Sequence, residues 1–235
     1  MAIISHQHKF IFIKTRKTAG TSVEIALSRY CGPNDVITPI SGSDEAKRLE
    51  LGYAGPQNHI VPFSRYGLKD WGRLLLRRKR MSFRNHMWAY DIKRMVGPDV
   101  WNSYYKFCFE RNPWDKAISG YYWASRKKTE NRDLEDFMLQ GGFQDYRSYD
   151  QYTIDGECVV DDIYRFEEMD DALQHIAERV GLPGPLELPV TKSATRKDRR
   201  PYYEVLSEEA ADAISRGSAP EIELLSYRFQ PAEDV

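Results

Sequence analysis

The stretch Lys9-Phe-Ile-Phe-Ile-Lys-Thr-Arg-Lys-Thr-Ala-Gly-Thr-Ser-Val-Glu-Ile-Ala-Leu-Ser-Arg-Tyr30 decides the fold class, because its hydrophobic pattern changes twice. Residues 9–14 form a short apolar run rich in β-formers, and residues 15–21 are polar and contain glycine. Residues 22–30 carry apolar side chains at helical spacing, and Gly32-Pro33 ends the predicted helix. The helical apolar positions are Val23, Ala26, Leu27 and Tyr30. The order strand, loop, helix is typical of an α/β nucleotide-binding unit.

Strands and helices alternate along the rest of the chain. Further strands are predicted near 104–110 and 160–166. Helices are predicted over 43–51, 86–96, 113–128, 133–140, 168–180, 207–216 and 219–226. We therefore expect one domain over residues 1–235, a P-loop-like three-layer α/β sandwich with a mainly parallel central sheet. In that sheet the strands near 9–13, 104–110 and 160–166 lie side by side.

Composition excludes several classes of protein. The chain has 235 residues, 41% of them hydrophobic and 13% aromatic, which is enough for a sizeable core. The formal net charge is −1, from 34 Lys and Arg against 35 Asp and Glu, so a general polyanion binder that works by bulk charge is disfavoured. We expect no nucleic-acid partner.

The three cysteines and the start of the chain bear on its compartment. Cys31, Cys108 and Cys158 are odd in number and form no CxxC pair, which argues against a disulfide framework or a zinc site. The chain starts without a basic leader, and no run approaches the roughly 20 apolar residues that span a bilayer. We expect a cytoplasmic protein with no integral membrane segment and no metal.

The loop after the first strand has the composition of a phosphate-binding loop. Small residues allow close approach of the backbone to a phosphate, and the N–H groups that begin the next helix point at the anion. The candidate residues are Arg16, Lys17, Thr18, Ala19, Gly20, Thr21 and Ser22. The alternative is a polar turn capped by Thr21 or Ser22. Because Lys17 precedes Gly20, the loop does not match the Walker A pattern.

A second candidate site follows the strand near 104–110. Arg111 lies where that strand ends, and Ser119 lies about two turns into the helix that Pro113 starts. Together these two side chains suit a phosphate, the arginine through paired N–H donors. The alternatives are an ion pair of Arg111 with Glu110 or Asp115, and a small-residue packing contact for Ser119.

These two motifs together resemble those of the sulfotransferases. Lys17-Thr-Ala-Gly-Thr-Ser22 is similar to the family's 5'-phosphosulfate loop, and Arg111-Asn-Pro-Trp-Asp-Lys-Ala-Ile-Ser119 to its 3'-phosphate motif. Ile163 to Met169 resembles the family's late strand and its exit. The resemblance is closest to the branch of carbohydrate 2-O- and chondroitin-type sulfotransferases. Departures are Arg16, where the family usually has Pro, Glu110, where it has an apolar residue, and Thr191, where Asn is common.

The resemblance implies the chemistry. The donor is 3'-phosphoadenosine 5'-phosphosulfate (PAPS), the product nucleotide is 3'-phosphoadenosine 5'-phosphate (PAP), and no metal takes part. Lys17 is the catalytic lysine, and Thr191, Lys192 and Ser193 belong to the donor-binding C-terminal loop. His86, 25 residues before Arg111, corresponds to the general base. A neutral imidazole with an ordinary pKa near 6.5 suits that role, whereas the alternative is a histidine that caps or packs the start of a helix.

The acceptor is the least specified element. The resemblance implies a hydroxyl of a glycan or of a small molecule. The basic cluster Arg77 to Arg80, with Trp71 and Trp88, suits an acidic or ring-shaped acceptor, or else is a solvated face. His59 is the second choice for an acceptor-site role. Two competing functions remain at this point, an ATP-dependent small-molecule kinase and a non-catalytic nucleotide-binding protein.

Overall fold

The computed structural model describes residues 2–126, 131–189 and 198–230. Within them a five-stranded sheet has the strand order β3-β1-β2-β4-β7, and β5 and β6 form a separate hairpin. The strands are β1 (Ala2–Ser5), β2 (Phe10–Ile13), β3 (Val36–Ile37), β4 (Tyr105–Glu110), β5 (Thr153–Ile154), β6 (Glu157–Cys158) and β7 (Asp162–Arg165).

The three predicted strands lie side by side, and this part of the prediction is confirmed. β2 pairs with β4 and β4 with β7, both in parallel, with Phe12 opposite Phe107 and Phe107 opposite Asp162. The sheet as a whole is mixed, because β1 pairs antiparallel with both β2 and β3. The short turn between Ser5 and Phe10 permits only an antiparallel hairpin, since a parallel pair needs a long crossover.

The helices match most of the predicted segments within a few residues. They are α1 (Gly20–Ser28), α2 (Gly42–Glu50), α3 (Leu68–Arg77), α4 (Ala89–Val96), α5 (Pro98–Ser103), α6 (Pro113–Ser125), α7 (Leu134–Leu139), α8 (Tyr149–Tyr152), α9 (Met169–Arg179), α10 (Tyr202–Val205), α11 (Glu208–Gly217) and α12 (Ala219–Leu225). Short 3₁₀ turns occupy Phe63–Arg65, Gly142–Tyr146 and Phe166–Glu168. The sequence did not indicate α3. The helix predicted from residue 86 begins only at Ala89, so His86 lies before it.

Alternation along β2 places helices on both faces of the sheet. Phe10 and Phe12 pack with side chains of α1 and α9, whereas Ile11 and Ile13 pack with those of α4 and α5. This is the period-2 pattern of a strand that is buried on both sides. A further cluster joins α6 to α7 and α11 through Trp114, Ile118 and Phe137. The finer description as one P-loop-like, three-layer domain stays a prediction.

The parallel part of the sheet positions the candidate site. Because β2, β4 and β7 run in the same direction, their carboxyl ends meet at one edge. The segments that leave them are Lys14 to Ser22, Arg111 to Ser119, and Phe166 onward. In open α/β sheets this edge is where ligands bind.

Candidate active site

A cleft of about 870 Å³ opens at this edge and brings together the residues that the sequence singled out. Its lining includes Arg16, Lys17, Thr18, Ala19, Gly20, Thr21, Ser22, His86, Arg111 and Ser119. The cleft therefore joins the first loop, the second motif and the candidate base, although these lie far apart in the chain. Thr191, Lys192 and Ser193 lie outside the described residues.

The first loop has the backbone of an anion-binding turn. Lys17 and Ala19 both adopt left-handed conformations, with φ of 61° and 55°. Ala19 is the N-cap of α1, and its carbonyl accepts the N–H groups of Ser22 at 2.8 Å and Val23 at 3.2 Å. The alternative of a turn capped by the side chain of Thr21 or Ser22 is therefore wrong. The first N–H groups of α1 have no partner within the helix and carry its positive dipole end.

Hydroxyl contacts inside the loop fix its shape. Thr15 Oγ1 donates to the carbonyl of Phe109, so it accepts from the hydroxyl of Thr18, with the two oxygens 2.8 Å apart. Both threonines are buried. Thr18 is thus tied through Thr15 to β4 while it lines the cleft.

Beneath the loop lies a buried ionic network. Lys14 Nζ is 3.2 Å from Glu24 Oε2, and Arg48 donates to the other oxygen of the same carboxylate. All three side chains are buried. Gly20 makes room for the lysine, because a Cβ there would lie 2.7 Å from Lys14 Cγ. Buried charges of opposite sign therefore link the residue that follows β2 to α1 and α2.

Arg111 connects the second motif to the first loop. Its Nη1 donates to the carbonyl of Lys17 at 3.2 Å, and its Nε and Nη2 donate to Asp115 Oδ2 at 2.9 and 2.5 Å. The guanidinium lies over the ring of Phe166, 4.3 Å from its centroid. The ion pair with Asp115 is thus real. Among the described residues these contacts occupy three of the five N–H donors, which leaves two for a ligand.

The start of α6 is fixed by capping and by β7. Asn112 accepts the N–H groups of Trp114 and Asp115 at 3.2 and 3.3 Å. Its own N–H donates to Glu167 Oε1 at 2.7 Å, so the segment that follows β7 holds the helix start. Ser119 projects into the cleft from the same helix.

His86 faces the loop from the opposite wall. It lies in a turn before α4 with φ of 53°, a left-handed conformation that costs a non-glycine residue free energy. Its Nδ1 is 3.2 Å from the carbonyl oxygen of Lys14. Because a carbonyl oxygen only accepts, Nδ1 carries the proton and Nε2 carries the lone pair. The N-cap of α4 is Trp88, so His86 does not cap that helix and the capping alternative is wrong.

The electrostatic surroundings keep the imidazole neutral. Burial lowers the pKa of His86 from 6.5 to about 3, and the positive charges of Lys14 and Arg16 act in the same direction. The expectation of a base that titrates near neutrality is corrected here. At physiological pH the ring is unprotonated, and its lowered pKa also makes it a weaker base than an ordinary imidazole.

Comparison with known proteins decides the family. A model described as the Sulfotransferase family matches residues 1–229. The chain belongs to the sulfotransferase family. An uncharacterized protein of Archaeoglobus fulgidus is 30% identical over 116 residues, which are 48% of this chain and 97% of that protein. A crystal structure of a sulfotransferase from Alicyclobacillus acidocaldarius has a TM-score of 0.41 and 15% identity, covering 92% of this chain and 95% of that one. Family membership supports sulfuryl transfer as the general activity.

Two departures from the sulfotransferase pattern have structural explanations. The backbone N–H of Arg16 donates to Ser148 Oγ at 3.0 Å, a bond that proline cannot make. The buried carboxylate of Glu110 pairs with Lys116 Nζ at 2.5 Å, and the same ammonium lies 3.0 Å from Ser148 Oγ. Lys116 thus compensates the buried charge of the acidic residue at this position.

The sulfotransferase cleft also contains residues that sequence reasoning missed. They are Lys14, Thr15, Ile40, Ser41, Asp44, Asn85, Trp123, Asp145, Tyr146, Phe166 and Arg199. A signal existed for Trp123, which lies one helical turn after Ser119 and whose ring is 4.8 Å from Lys17 Nζ. Asp44 lies on the predicted helix over 43–51 and Asn85 lies just before the one over 86–96, but no motif marked either residue as part of a site.

Membrane-spanning helices and clusters of metal ligands are both absent from the described residues. In residues 2–126, 131–189 and 198–230 no helix is long and apolar enough to cross a bilayer. The same residues contain no group of three or more His, Cys, Asp and Glu side chains placed to hold a metal ion.

Proposed function

We propose that the chain transfers a sulfuryl group from PAPS to an acceptor hydroxyl by in-line displacement, with His86 as general base. One observation carries the proposal: Lys17, Arg111 and His86 line a single cleft although 94 residues separate the first two. The imidazole of His86, held with its Nε2 lone pair available, favours an enzyme over a nucleotide-binding protein without activity.

The donor end of the cleft suits a nucleotide with two anionic groups. Lys17 and the N–H groups at the start of α1 meet the 5'-phosphosulfate, and Arg111 with Ser119 meets the 3'-phosphate. When bound, the donor supplies a sulfuryl group on a phosphate leaving group. Lys17 and the loop stabilise the negative charge that develops on that phosphate, an effect worth about 3 kcal/mol for one well-placed donor.

At the end of the cleft where the acceptor hydroxyl would bind, His86 supplies the base. His86 Nδ1 is occupied by the Lys14 carbonyl, so Nε2 takes the proton of the attacking hydroxyl. Ser41, Asp44 and Asn85 line the same cleft and offer hydrogen-bonding groups to a polyhydroxylated acceptor. We propose a carbohydrate as the acceptor, in keeping with the 2-O- and chondroitin-type branch. We also propose a cytoplasmic location, which the free thiols of Cys31, Cys108 and Cys158 support.

The experiment is a transfer assay with radiolabelled PAPS, a panel of glycans and small alcohols, and a metal chelator. We expect label on at least one acceptor, undiminished by the chelator. Lys17→Ala is expected to lower turnover by roughly 100-fold or more and to weaken PAP binding. The matched control Lys47→Ala, in an exposed ion pair on α2, is expected to change neither quantity. Transfer from ATP that requires magnesium, with none from PAPS, would contradict the proposal.

A further inference from the structure

Helix α3 presents its apolar side to solvent. Leu68, Trp71, Leu75 and Leu76 are 93%, 42%, 78% and 87% exposed. Their spacing of i, i+3, i+7 and i+8 places them, with Gly72, on one continuous stripe of the helix. A stripe of this kind normally faces a protein core. Here it faces outward, which marks it as a surface for contact with another apolar phase.

The opposite side of α3 attaches the helix to the protein. Asp70 is buried, accepts the N–H of Gly67 at 3.1 Å and pairs with Arg94 of α4 at 2.6 Å. Leu74, one turn later, is half-buried on the same side. The hydroxyl of Tyr66 accepts the N–H of Met81 at 2.7 Å, so the residues before and after α3 are joined. The outward stripe is therefore held in place by contacts that leave it bare.

Positive charge surrounds the stripe. Residues 65–80 contain seven basic side chains, all exposed, against one acidic residue, the buried Asp70. The basic residues are Arg65, Lys69, Arg73, Arg77, Arg78, Lys79 and Arg80. Since the whole chain has a net charge of −1, this segment concentrates cations that the rest of the molecule balances. Phe63, which stacks on Trp71 at 5.4 Å and lies under Arg80, extends the apolar stripe.

We propose that residues 63–80, here called the α3 surface, dock the protein on an anionic lipid bilayer. An interfacial helix combines an apolar stripe, a tryptophan and flanking Lys and Arg residues, as this one does. At ten residues α3 is about 15 Å long, which is too short to cross a bilayer. The helix would therefore lie in the plane of the headgroups. A second copy of the chain would set seven cations against seven, and a nucleic acid would leave the leucines exposed to water. The proposal is independent of sulfuryl transfer.

The test is co-sedimentation of the full chain with vesicles of phosphatidylcholine alone and of phosphatidylcholine mixed with phosphatidylglycerol. We expect binding to the mixed vesicles only, weakened by high salt. Leu75→Gln/Leu76→Gln is expected to lower the partition coefficient roughly 100-fold, about tenfold for each leucine. Lys79→Gln/Arg80→Gln is expected to lower it about 25-fold, fivefold for each charge.

Matched controls separate the α3 surface from exposure or charge in general. The control for the leucines is Leu49→Gln, at a position on α2 that is 67% exposed. The control for the charges is Arg216→Gln on α11. Both variants are expected to bind vesicles as the parent does. Circular dichroism confirms that each variant is folded. Vesicle binding that is unchanged in the leucine variant overturns the proposal. So does tighter binding to duplex DNA than to mixed vesicles, or a dimer in sedimentation that the leucine substitutions dissociate.

Discussion

The two walls of the cleft are built in different ways. The donor wall is built mainly on one continuous stretch, Lys14 to Ser22, whose shape follows from a strand end, a left-handed turn and a helix start, and the second motif adds Arg111 and Ser119. The opposite wall comes from Ser41, Asp44 and the pair Asn85 and His86, which separate segments bring together. Two side-chain hydrogen bonds tie Asn85 and His86 to other segments of the chain. Asn85 donates to the carbonyl of Pro39 at 3.3 Å, and His86 donates to that of Lys14 at 3.2 Å.

We expect the donor wall to matter most for stability and the opposite wall to matter most for the reaction. Beneath the donor wall lie the buried charges of Lys14, Glu24 and Arg48, so changes there act on folding. The opposite wall carries a half-buried histidine in a turn, so changes there act on the reaction and leave the fold intact. Substitutions on each side test this division.

The largest effect is expected below the donor wall. Glu24→Ala leaves the ammonium of Lys14 and the guanidinium of Arg48 buried without their shared carboxylate, which costs on the order of 3–5 kcal/mol of unfolding free energy. Urea denaturation measures the loss. The matched control Glu50→Ala removes the exposed partner of Lys47 and is expected to cost less than about 1 kcal/mol. Equal costs would mean that the buried network does not support the loop.

The next effect is on turnover at the opposite wall. His86→Ala is expected to lower the rate roughly 100-fold, the usual scale of a general base, while PAP affinity and unfolding free energy stay near those of the parent. Transfer assays and calorimetry measure the two quantities. His59→Ala is the control, because His59 does not line the cleft. Near-normal turnover in His86→Ala would place the base elsewhere, and loss of folding would make His86 structural.

The protonation state of His86 provides a second test of the opposite wall. Its pKa lies at about 3 instead of 6.5, so its ring resonances are expected to stay constant as the pH falls from about 8 to about 5. Proton NMR, assigned by the loss of one histidine signal in His86→Ala, checks this. A midpoint near 6.5 would show that the ring is not shielded from water. Because the unfolded chain takes up the proton first, His86 costs stability as the pH falls from 6.5 toward 3 and none above that range.

Sequence predicted the donor wall better than the opposite one. The pattern of residues 9–30 is local, so strand, loop and helix were all recognised, as was Arg111 at the end of β4. The hairpin partner β1 was missed because Ala2 to Ser5 is too short to show a period. Without β1 the prediction could not include the antiparallel pairs that make the sheet mixed.

The opposite wall depends on contacts that no local pattern encodes. Position along the chain, through family resemblance, indicated His86, but its lowered pKa arises from burial in the folded chain, with the charges of Lys14 and Arg16 acting in the same direction. Asp44 lies on α2, whose apolar pattern is weak, and Arg199 follows a stretch outside the described residues. α3 was missed although its apolar residues have helical spacing, because Gly72 and the adjoining run of basic residues interrupt the pattern.

The most direct test of the central claim is calorimetric binding of two nucleotides, PAP and adenosine 5'-phosphate, without magnesium. They differ only in the 3'-phosphate that Arg111 and Ser119 are proposed to hold. Arg111→Ala is expected to weaken PAP by about 2 kcal/mol, roughly 30-fold, and adenosine 5'-phosphate far less. The control Arg216→Ala is expected to leave both unchanged. Equal losses for the two nucleotides, or no binding of PAP to the parent chain, would contradict the assignment of this cleft to a PAPS-dependent sulfotransferase.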